Sequence, residues 1–150
     1  MFSFFNTYPE FSSEEQAVIV DTLKEMVIRF GLDHEYTNIV FMTDDELLEM
    51  NKEYLGHDYY TDIITFNYAE VPCKIEAELY ISIDRVKDNA QTNGVSMRDE
   101  MRRVIFHGML HLAGYNDATK EEREGMRVLE DEYLNWSLFH VKQDDNKISA

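Results

Sequence analysis

Residues 75–83 alternate apolar and polar side chains without interruption, and this stretch constrains the fold more than any other. Its apolar positions are Ile75, Ala77, Leu79, Ile81 and Ile83. A two-residue period is typical of a strand with one buried face. Three shorter segments, 1–8, 36–42 and 63–66, are rich in aromatic or β-branched residues and predict further strands. The chain must therefore build its core against a sheet of about four strands.

Helix boundaries are marked by residue pairs outside these strands. Serine or threonine stands three positions before an acidic residue in the pairs Ser12–Glu15, Thr43–Glu46, Ser96–Asp99 and Thr119–Glu122. The spacing predicts capped helix starts, with reciprocal capping boxes where the acidic residue is glutamate. Asp84 is expected to cap one further short helix. The expected helix ends fall at Gly31, Gly56, Gly94 and Gly114.

The resulting element order is β-α-β-α-β-β-α-α-α, which predicts a single-domain α+β fold. We expect residues 1–150 to form a mixed sheet of about four strands packed by about five helices. The helix that begins after Ser96 is apolar on most sides and should be central. The polar tail, residues 142–150, is expected to fray.

Charge and cysteine content narrow the possible functions. The chain has 30 Asp and Glu against 14 Lys and Arg, a formal net charge of −16. Since basic residues drive nonspecific binding to phosphates, DNA is not expected as a partner, and RNA binding would need a local basic or metal-centred patch. A single cysteine, Cys73, excludes a cysteine-rich zinc module. The sequence shows neither a membrane span nor a signal peptide, so we expect a cytoplasmic protein.

The cluster His107, His111, Gly114 and Asp117 carries the clearest chemistry. Histidines four residues apart lie on one helix face, about 6 Å apart along the axis. A glycine stop can turn the chain back and bring Asp117 toward the same point. Three protein ligands leave a position for water, as in catalytic zinc sites. The pair could instead be a packing or polar-core feature, and the donor set also suits nickel, iron or manganese.

The same offsets match the zinc-peptidase pattern H-E-x-x-H-x-x-G-x-x-H/D. In that chemistry the glutamate after the first histidine is the general base. This chain has Gly108 at that position, and glycine cannot accept a proton. Peptide hydrolysis by that mechanism is therefore disfavoured.

Three blocks of the sequence resemble the YbeY family of bacterial metal-dependent endoribonucleases and rRNA maturation factors. Residues 107–117 are similar to its H-G-x-L-H-L-x-G-Y-D-H signature, residues 51–66 to its L-N-x-x-Y-R-x-x-D-x-x-T-D-V-L-S-F block, and residues 78–82 to its G-D-I-x-I-S strand. The resemblance implies one Zn²⁺ per chain, held by His107 and His111. Asp117 stands at the offset of the family's third histidine, where it can serve as a ligand with oxygen in place of nitrogen.

The resemblance also implies a function and partners. A family member would be a zinc-dependent, single-strand-specific endoribonuclease in 16S rRNA 3′ end maturation, ribosome biogenesis and quality control. Its partners would be single-stranded rRNA and the ribosome or small-subunit proteins, without a membrane. The alternative is a noncatalytic ribosome-assembly factor with a structural metal, and a metallopeptidase is the third class.

The family's active-site arginine falls on Leu55, which cannot contact phosphate. His57 is a candidate catalytic residue that could supply a cation or proton, or equally a solvent-exposed residue at a helix end. Arg103, one helical turn before His107, is a candidate RNA contact, or it pairs with Asp99 or Glu100 on the surface. Weaker candidates for RNA contact are Lys52, Arg98 and Arg102.

Two acidic residues and three tyrosines complete the candidates. Asp58 could support a metal ligand, and Asp62 could cap or orient the turn beside the metal. The tyrosines could stack on unpaired bases or simply pack: they are Tyr59, Tyr60 and Tyr115.

Overall fold

The computed structural model describes the backbone of residues 1–149 and the side chains of residues 1–139. Its elements are β1 (Phe2–Phe5), α1 (Ser13–Arg29), β2 (Asp33–Met42), α2 (Asp44–Leu55), β3 (Ile63–Asn67), β4 (Lys74–Ser82), α3 (Ile83–Asn93), α4 (Met97–Leu112) and α5 (Lys120–Ser149). The predicted α+β class and element order are confirmed. The frayed tail expected for residues 142–150 falls beyond the described side chains and stays a prediction.

The four strands form one mixed sheet in the order β1-β2-β4-β3. β1 pairs parallel to β2 and β2 pairs parallel to β4, whereas β3 pairs antiparallel to β4. The alternating residues of β4 behave as predicted, since Ile75, Ala77, Leu79 and Ile81 are fully buried. β3 therefore lies at an edge of the sheet, with only β4 as its neighbour.

Two of the predicted capping boxes are complete and one is not. Thr43 and Glu46 exchange both hydrogen bonds, at 3.2 Å each. The same exchange starts α5, where the distances are 2.9 and 3.1 Å. At α1, Ser12 Oγ accepts from the backbone N–H of Glu15, but the Glu15 carboxylate binds Arg102 instead of returning to the cap.

The cap predicted for α3 was wrong by two residues. Ser82, the last residue of β4, caps the helix, and its Oγ accepts from the backbone N–H of Arg85 at 3.0 Å. Asp84 lies inside the first turn, where its carboxylate accepts from the backbone N–H of Asp44 at 2.9 Å. The strand therefore passes directly into the helix without a connecting loop.

α4 is the central helix, as predicted, and contacts α1, α3, α5, β3 and β4. Gly108 faces the sheet: a Cβ there would lie 2.7 Å from Ile63 Cδ1 and 3.3 Å from Leu79 Cδ1. The absence of a side chain lets the end of α4 approach the edge strand closely. Within the described part of the chain, no helix has both the length and the apolar character that crossing a membrane requires.

Candidate metal centre and its groove

The predicted ligands His107, His111 and Asp117 converge at the end of α4. Gly114 adopts a φ of 103°, so the chain can turn sharply after the helix and return toward the two imidazoles. His107 Nε2 lies 3.0 Å from His111 Nε2. Asp117 Oδ2 lies 3.4 Å from the first of these nitrogens and 3.3 Å from the second.

This triangle of donor atoms fits a small divalent ion. A tetrahedral ion with bonds of about 2.0–2.1 Å holds its ligand atoms about 3.3–3.4 Å apart. The two distances to Asp117 Oδ2 match that spacing, and the two imidazole nitrogens, 3.0 Å apart, are slightly closer than it. The donor set is two imidazole nitrogens and one carboxylate oxygen, all within 4.8 Å of one another. Each of the three side chains is partly exposed, which leaves one side of the triangle accessible to water or substrate.

A fourth residue, Glu130 of α5, supports the centre and was not predicted. Its Oε2 lies 2.6 Å from His107 Nδ1, so the carboxylate can orient the ring and direct Nε2 toward the triangle. Burial disfavours charge on His107, but the hydrogen bond and charge of Glu130, with the charges of Asp62 and Asp117, outweigh it and raise the pKa of His107.

Arg103 shares this support rather than reaching into solvent. Its guanidinium donates to Glu130 Oε1 at 3.0 Å and to Asp131 Oδ1 at 2.6 Å. Its ion pairs are therefore with α5 and not with Asp99 or Glu100, because α5 packs across this face of α4. Arg103 lines the cavity beside His107, and each of its two terminal nitrogens already donates to a carboxylate.

Two cavities flank the ligand triangle, and we call them together the groove. The α5 cavity has a volume of about 460 Å³, and its α5 wall consists of Lys120, Arg123, Glu124, Met126, Arg127 and Glu130. The β3 cavity has a volume of about 520 Å³, and its β3 wall consists of Leu55, Thr61, Ile63, Ile64, Thr65 and Asn67. Both cavities share Asp62, His107 and Asp117, so the ligand triangle lies between two walls of different character.

Asp62 lies in the turn that leads into the edge strand. Its backbone carbonyl accepts from the N–H of Ser82 at 2.9 Å, which ties the turn to the end of β4. Burial raises the pKa of its carboxyl group, while the nearby His107 acts in the opposite direction. Asp58, in contrast, is exposed, pairs with Lys52 at 3.5 Å and is not among the described residues that line the two cavities, so its support of a metal ligand stays a prediction.

His57 does not reach the groove. Gly56 ends α2 in a left-handed conformation and turns the chain outward. The exposed imidazole stacks on Tyr59 with ring centroids 5.1 Å apart, and its Nδ1 lies 3.0 Å from Tyr59 Oη. Among the described residues, those that line the two cavities do not include His57. Its catalytic role therefore stays a prediction without a contact to the ligand triangle.

The weaker RNA candidates lie elsewhere. Arg102 is only 1% exposed, and its guanidinium donates to Glu15 Oε2 at 2.7 Å and to Ser137 Oγ at 3.1 Å, so it cannot reach RNA. Lys52 pairs with the carboxylates around it. Arg98 is exposed but lines a separate cavity at the opposite end of α4.

The three tyrosines are exposed, although they do not form one stacking surface. Tyr60 donates to Asp45 Oδ1 at 3.2 Å, and Tyr115 packs edge-on against Phe30 at 5.4 Å. Neither they nor Tyr59 line either cavity within the described part of the chain. Base stacking by these residues stays a prediction.

Comparisons with known proteins agree with this architecture. The family model described as endoribonuclease YbeY matches residues 4–137. A protein of Cytophaga hutchinsonii named Endoribonuclease YbeY is 54% identical over 102 residues, 68% of this chain and 71% of that protein. One of the same name from Flavobacterium johnsoniae is 38% identical over 139 residues, 93% of this chain and 98% of that protein.

The fold itself has a solved counterpart. The solution structure of TM1509 from Thermotoga maritima is similar with a TM-score of 0.68 and 24% identity, over 96% of this chain and 93% of that one. The family match covers half of β1, the other three strands, the ligand triangle and most of the described part of α5. On this match and the identity to its relatives, the chain belongs to the YbeY family.

Proposed function

We propose that this protein is a zinc-dependent, single-strand-specific endoribonuclease in 16S rRNA 3′ end maturation, ribosome biogenesis and quality control. The observation that carries the proposal is the triangle of His107 Nε2, His111 Nε2 and Asp117 Oδ2, set in a groove open to solvent. Endoribonuclease is also the activity for which its relatives are named. The rRNA site and pathway follow from the family resemblance.

The side chains of the groove have separable tasks in such a reaction. His107, His111 and Asp117 would hold one ion, and Glu130 would keep the His107 ring in its binding orientation. A bound divalent ion supplies Lewis-acid polarisation of a phosphoryl oxygen and lowers the pKa of a coordinated water. Asp62, which faces both cavities, lies where it could accept a proton or orient water.

The donor set favours zinc, because two imidazoles and one carboxylate with an open position are typical of catalytic zinc. Nickel, iron and manganese accept the same donors. We expect elemental analysis of the purified protein to give one zinc per chain. A different stoichiometric metal would leave the reaction class intact and change the cofactor.

The charge of the chain indicates how the substrate is delivered. A net charge of −16 opposes free scanning of RNA, so we propose that the ribosome or small-subunit proteins present the unpaired strand. This setting implies a cytoplasmic protein without a DNA or membrane partner.

The proposal is tested by cleavage of matched single-stranded and duplex RNA with zinc-loaded protein. We expect cleavage of the unpaired strand, loss on chelation, recovery on adding zinc, and loss in a His111→Ala variant. Cleavage that survives in the variant would indicate a contaminating nuclease, and zinc-loaded wild type without cleavage would contradict the proposal.

One observation favours a second candidate, a noncatalytic assembly factor with a structural metal: Leu55 on the β3 wall stands where the resemblance places an arginine. In that case zinc would bind and stabilise the fold without RNA cleavage. A peptidase is less compatible, because a side chain at Gly108 would meet Ile63 and Leu79.

A further inference from the structure

Three cations, Lys120, Arg123 and Arg127, occupy one face of the first turns of α5. Their spacing of three and four residues places them in a row about 10 Å long. All three are exposed and line the α5 cavity together with His107 and Asp117. The row therefore faces the same space as the ligand triangle.

Among the described side chains, this row lacks the ion pairs that neutralise most of the other cations. Among the described side chains, each of these lies within 4.0 Å of a carboxylate: Arg29, Lys52, Lys74, Arg85, Arg98, Arg102 and Arg103. No carboxylate lies within that distance of Lys120, Arg123 or Arg127 in the described part of the chain. Arg123 donates one bond to the Ala118 carbonyl at 2.9 Å. In a protein with 30 acidic residues, three such cations at one cavity are unusual.

Most anions of the same cavity are engaged by groups outside the row, although the charge of Arg127 also acts on the buried Glu100. Glu130 is buried against His107 and Arg103, and Asp117 belongs to the ligand triangle. Glu100 is buried below the rim, and Asp62 lies in the turn between the two cavities. Glu124 is the one exposed acidic residue among those that form the described α5 wall. The exposed part of the α5 wall therefore carries three cations and one carboxylate and is positive, although the lining of the cavity as a whole is not.

We propose that Lys120, Arg123 and Arg127 bind the phosphodiester backbone of single-stranded RNA and hold it across the ligand triangle. This inference rests on the proposed function. It assigns the phosphate contacts to α5, while the opposite β3 wall has the uncharged Leu55. A row of this length can contact more than one phosphate, and such contacts position a strand without selecting its sequence.

The test measures binding rather than turnover. Zinc-loaded wild type is compared with a Lys120→Gln, Arg123→Gln, Arg127→Gln triple variant, using a short unstructured 2′-O-methyl oligonucleotide whose integrity is checked by gel. The control for net charge removes the same formal charge at exposed residues that do not line the α5 cavity: Lys24, Lys87 and Arg98, each changed to Gln. We expect roughly tenfold weaker binding in the row variant only, and a salt slope shallower by about 2.

Each outcome supports or contradicts phosphate binding by the row. Equal weakening in the control would mean that net charge alone acts, and unchanged binding in the row variant would overturn the proposal. Equally tight binding of polyglutamate would make the row a general anion site and overturn the assignment to RNA. A Lys120→Glu, Arg127→Glu double variant keeps the Arg123 bond to Ala118, so weakened binding there supports the proposal even if the triple variant unfolds.

The binding experiment is independent of catalysis. Wild type that binds through the row but does not cleave RNA would contradict the proposed function and leave the row assigned. Wild type that cleaves RNA, with unchanged binding in the row variant, would refute the row alone.

Discussion

The two walls of the groove differ in charge, although both border the same ligand triangle. Apart from Asp62, which lines both cavities, the β3 wall is uncharged: it has Leu55, side chains of the edge strand and threonine hydroxyls. The α5 wall has three cations, and none of them lies within 4.0 Å of a carboxylate among the described side chains. Both walls border His107 and Asp117, so a strand crossing the ligand triangle would meet charge on one side and neutral surface on the other.

In this chain, the position where the family resemblance places a cation and the residues that carry positive charge lie on opposite walls of the groove. The family resemblance directs attention to the β3 wall, where an arginine is expected and Leu55 stands. The positive charge lies instead at the start of α5, on residues that belong to none of the three sequence blocks that carry the family resemblance. If charge at the metal is needed, this chain has it on the opposite wall.

The largest expected effect on activity comes from substitution in the ligand triangle, which both walls border. Asp117→Ala removes the only anionic ligand of the triangle, and we expect at least about a 100-fold loss of RNA cleavage with loss of bound zinc. Asp117→His supplies the ligand type of the family pattern and should retain metal and activity. Zinc content and cleavage rate are measured on both variants, and full activity in Asp117→Ala would remove the triangle from the mechanism.

The next largest effect is expected from Glu130 of α5, which contacts the ligand His107. Glu130→Gln keeps the shape of the side chain but removes the charge at 2.6 Å from His107 Nδ1. We expect zinc affinity to fall about 10- to 100-fold, since such supporting partners orient the ligand and raise its basicity. Competition with a zinc chelator measures the affinity. An Asp131→Asn control alters the other carboxylate on Arg103 and should leave zinc affinity unchanged.

Glu130 also shows which parts of the site the sequence could predict. The ligands followed from local rules: a four-residue helix spacing, a glycine stop and a short return. Glu130 lies 23 residues after His107, and its contact depends on how α5 packs across α4. A local signal did exist, because Glu130 lies on the inward stripe of α5 with Met126, Tyr133 and Ser137.

The same limit applies to the fold and to the arginines. Element order and most helix caps were predictable, because capping pairs and alternation are local. Arg102 and Arg103 are sequence neighbours, yet one is buried against Glu15 and the other pairs with α5. Sequence alone could not separate them, since their partners lie 87 and 27 residues away. The row on α5 had a helical spacing but no signal that a cavity lay beside it.

A smaller effect concerns the pH dependence of folding stability, to which His34, a residue outside the groove lining, contributes. Burial, followed by the Met1 amino group, lowers the pKa of His34 to about 4. The unfolded chain therefore binds more protons between about pH 6.5 and 4, and stability falls as the pH drops through that window. After discounting for partial exposure, His34 should account for about 1–2 kcal/mol.

Urea unfolding of wild type and His34→Gln at pH 7, 5.5 and 4.5 measures this contribution. The stability difference in favour of wild type should shrink as the pH falls. A difference independent of pH would show that His34 titrates normally, and acid loss of activity would then have to come from the groove or from other groups.

The smallest expected effect tests the two walls directly. Leu55 is exposed at the end of α2, where a cation is also favourable to the helix, so Leu55→Arg should fold normally. We expect single-stranded RNA to bind roughly two- to fivefold more tightly, with a salt slope steeper by about 0.7. Ile28→Arg adds the same charge at an exposed position of α1 and controls for net charge.

The decisive form combines Leu55→Arg with the triple variant of the row. If the walls are interchangeable sources of positive charge, the arginine should restore part of the binding that the row variant loses, and Ile28→Arg should not. Restoration of binding without cleavage would mean that charge on the β3 wall holds the strand in a different register over the ligand triangle. No restoration at all would show that the strand contacts only the α5 wall, and the uncharged β3 wall would then have no part in phosphate binding.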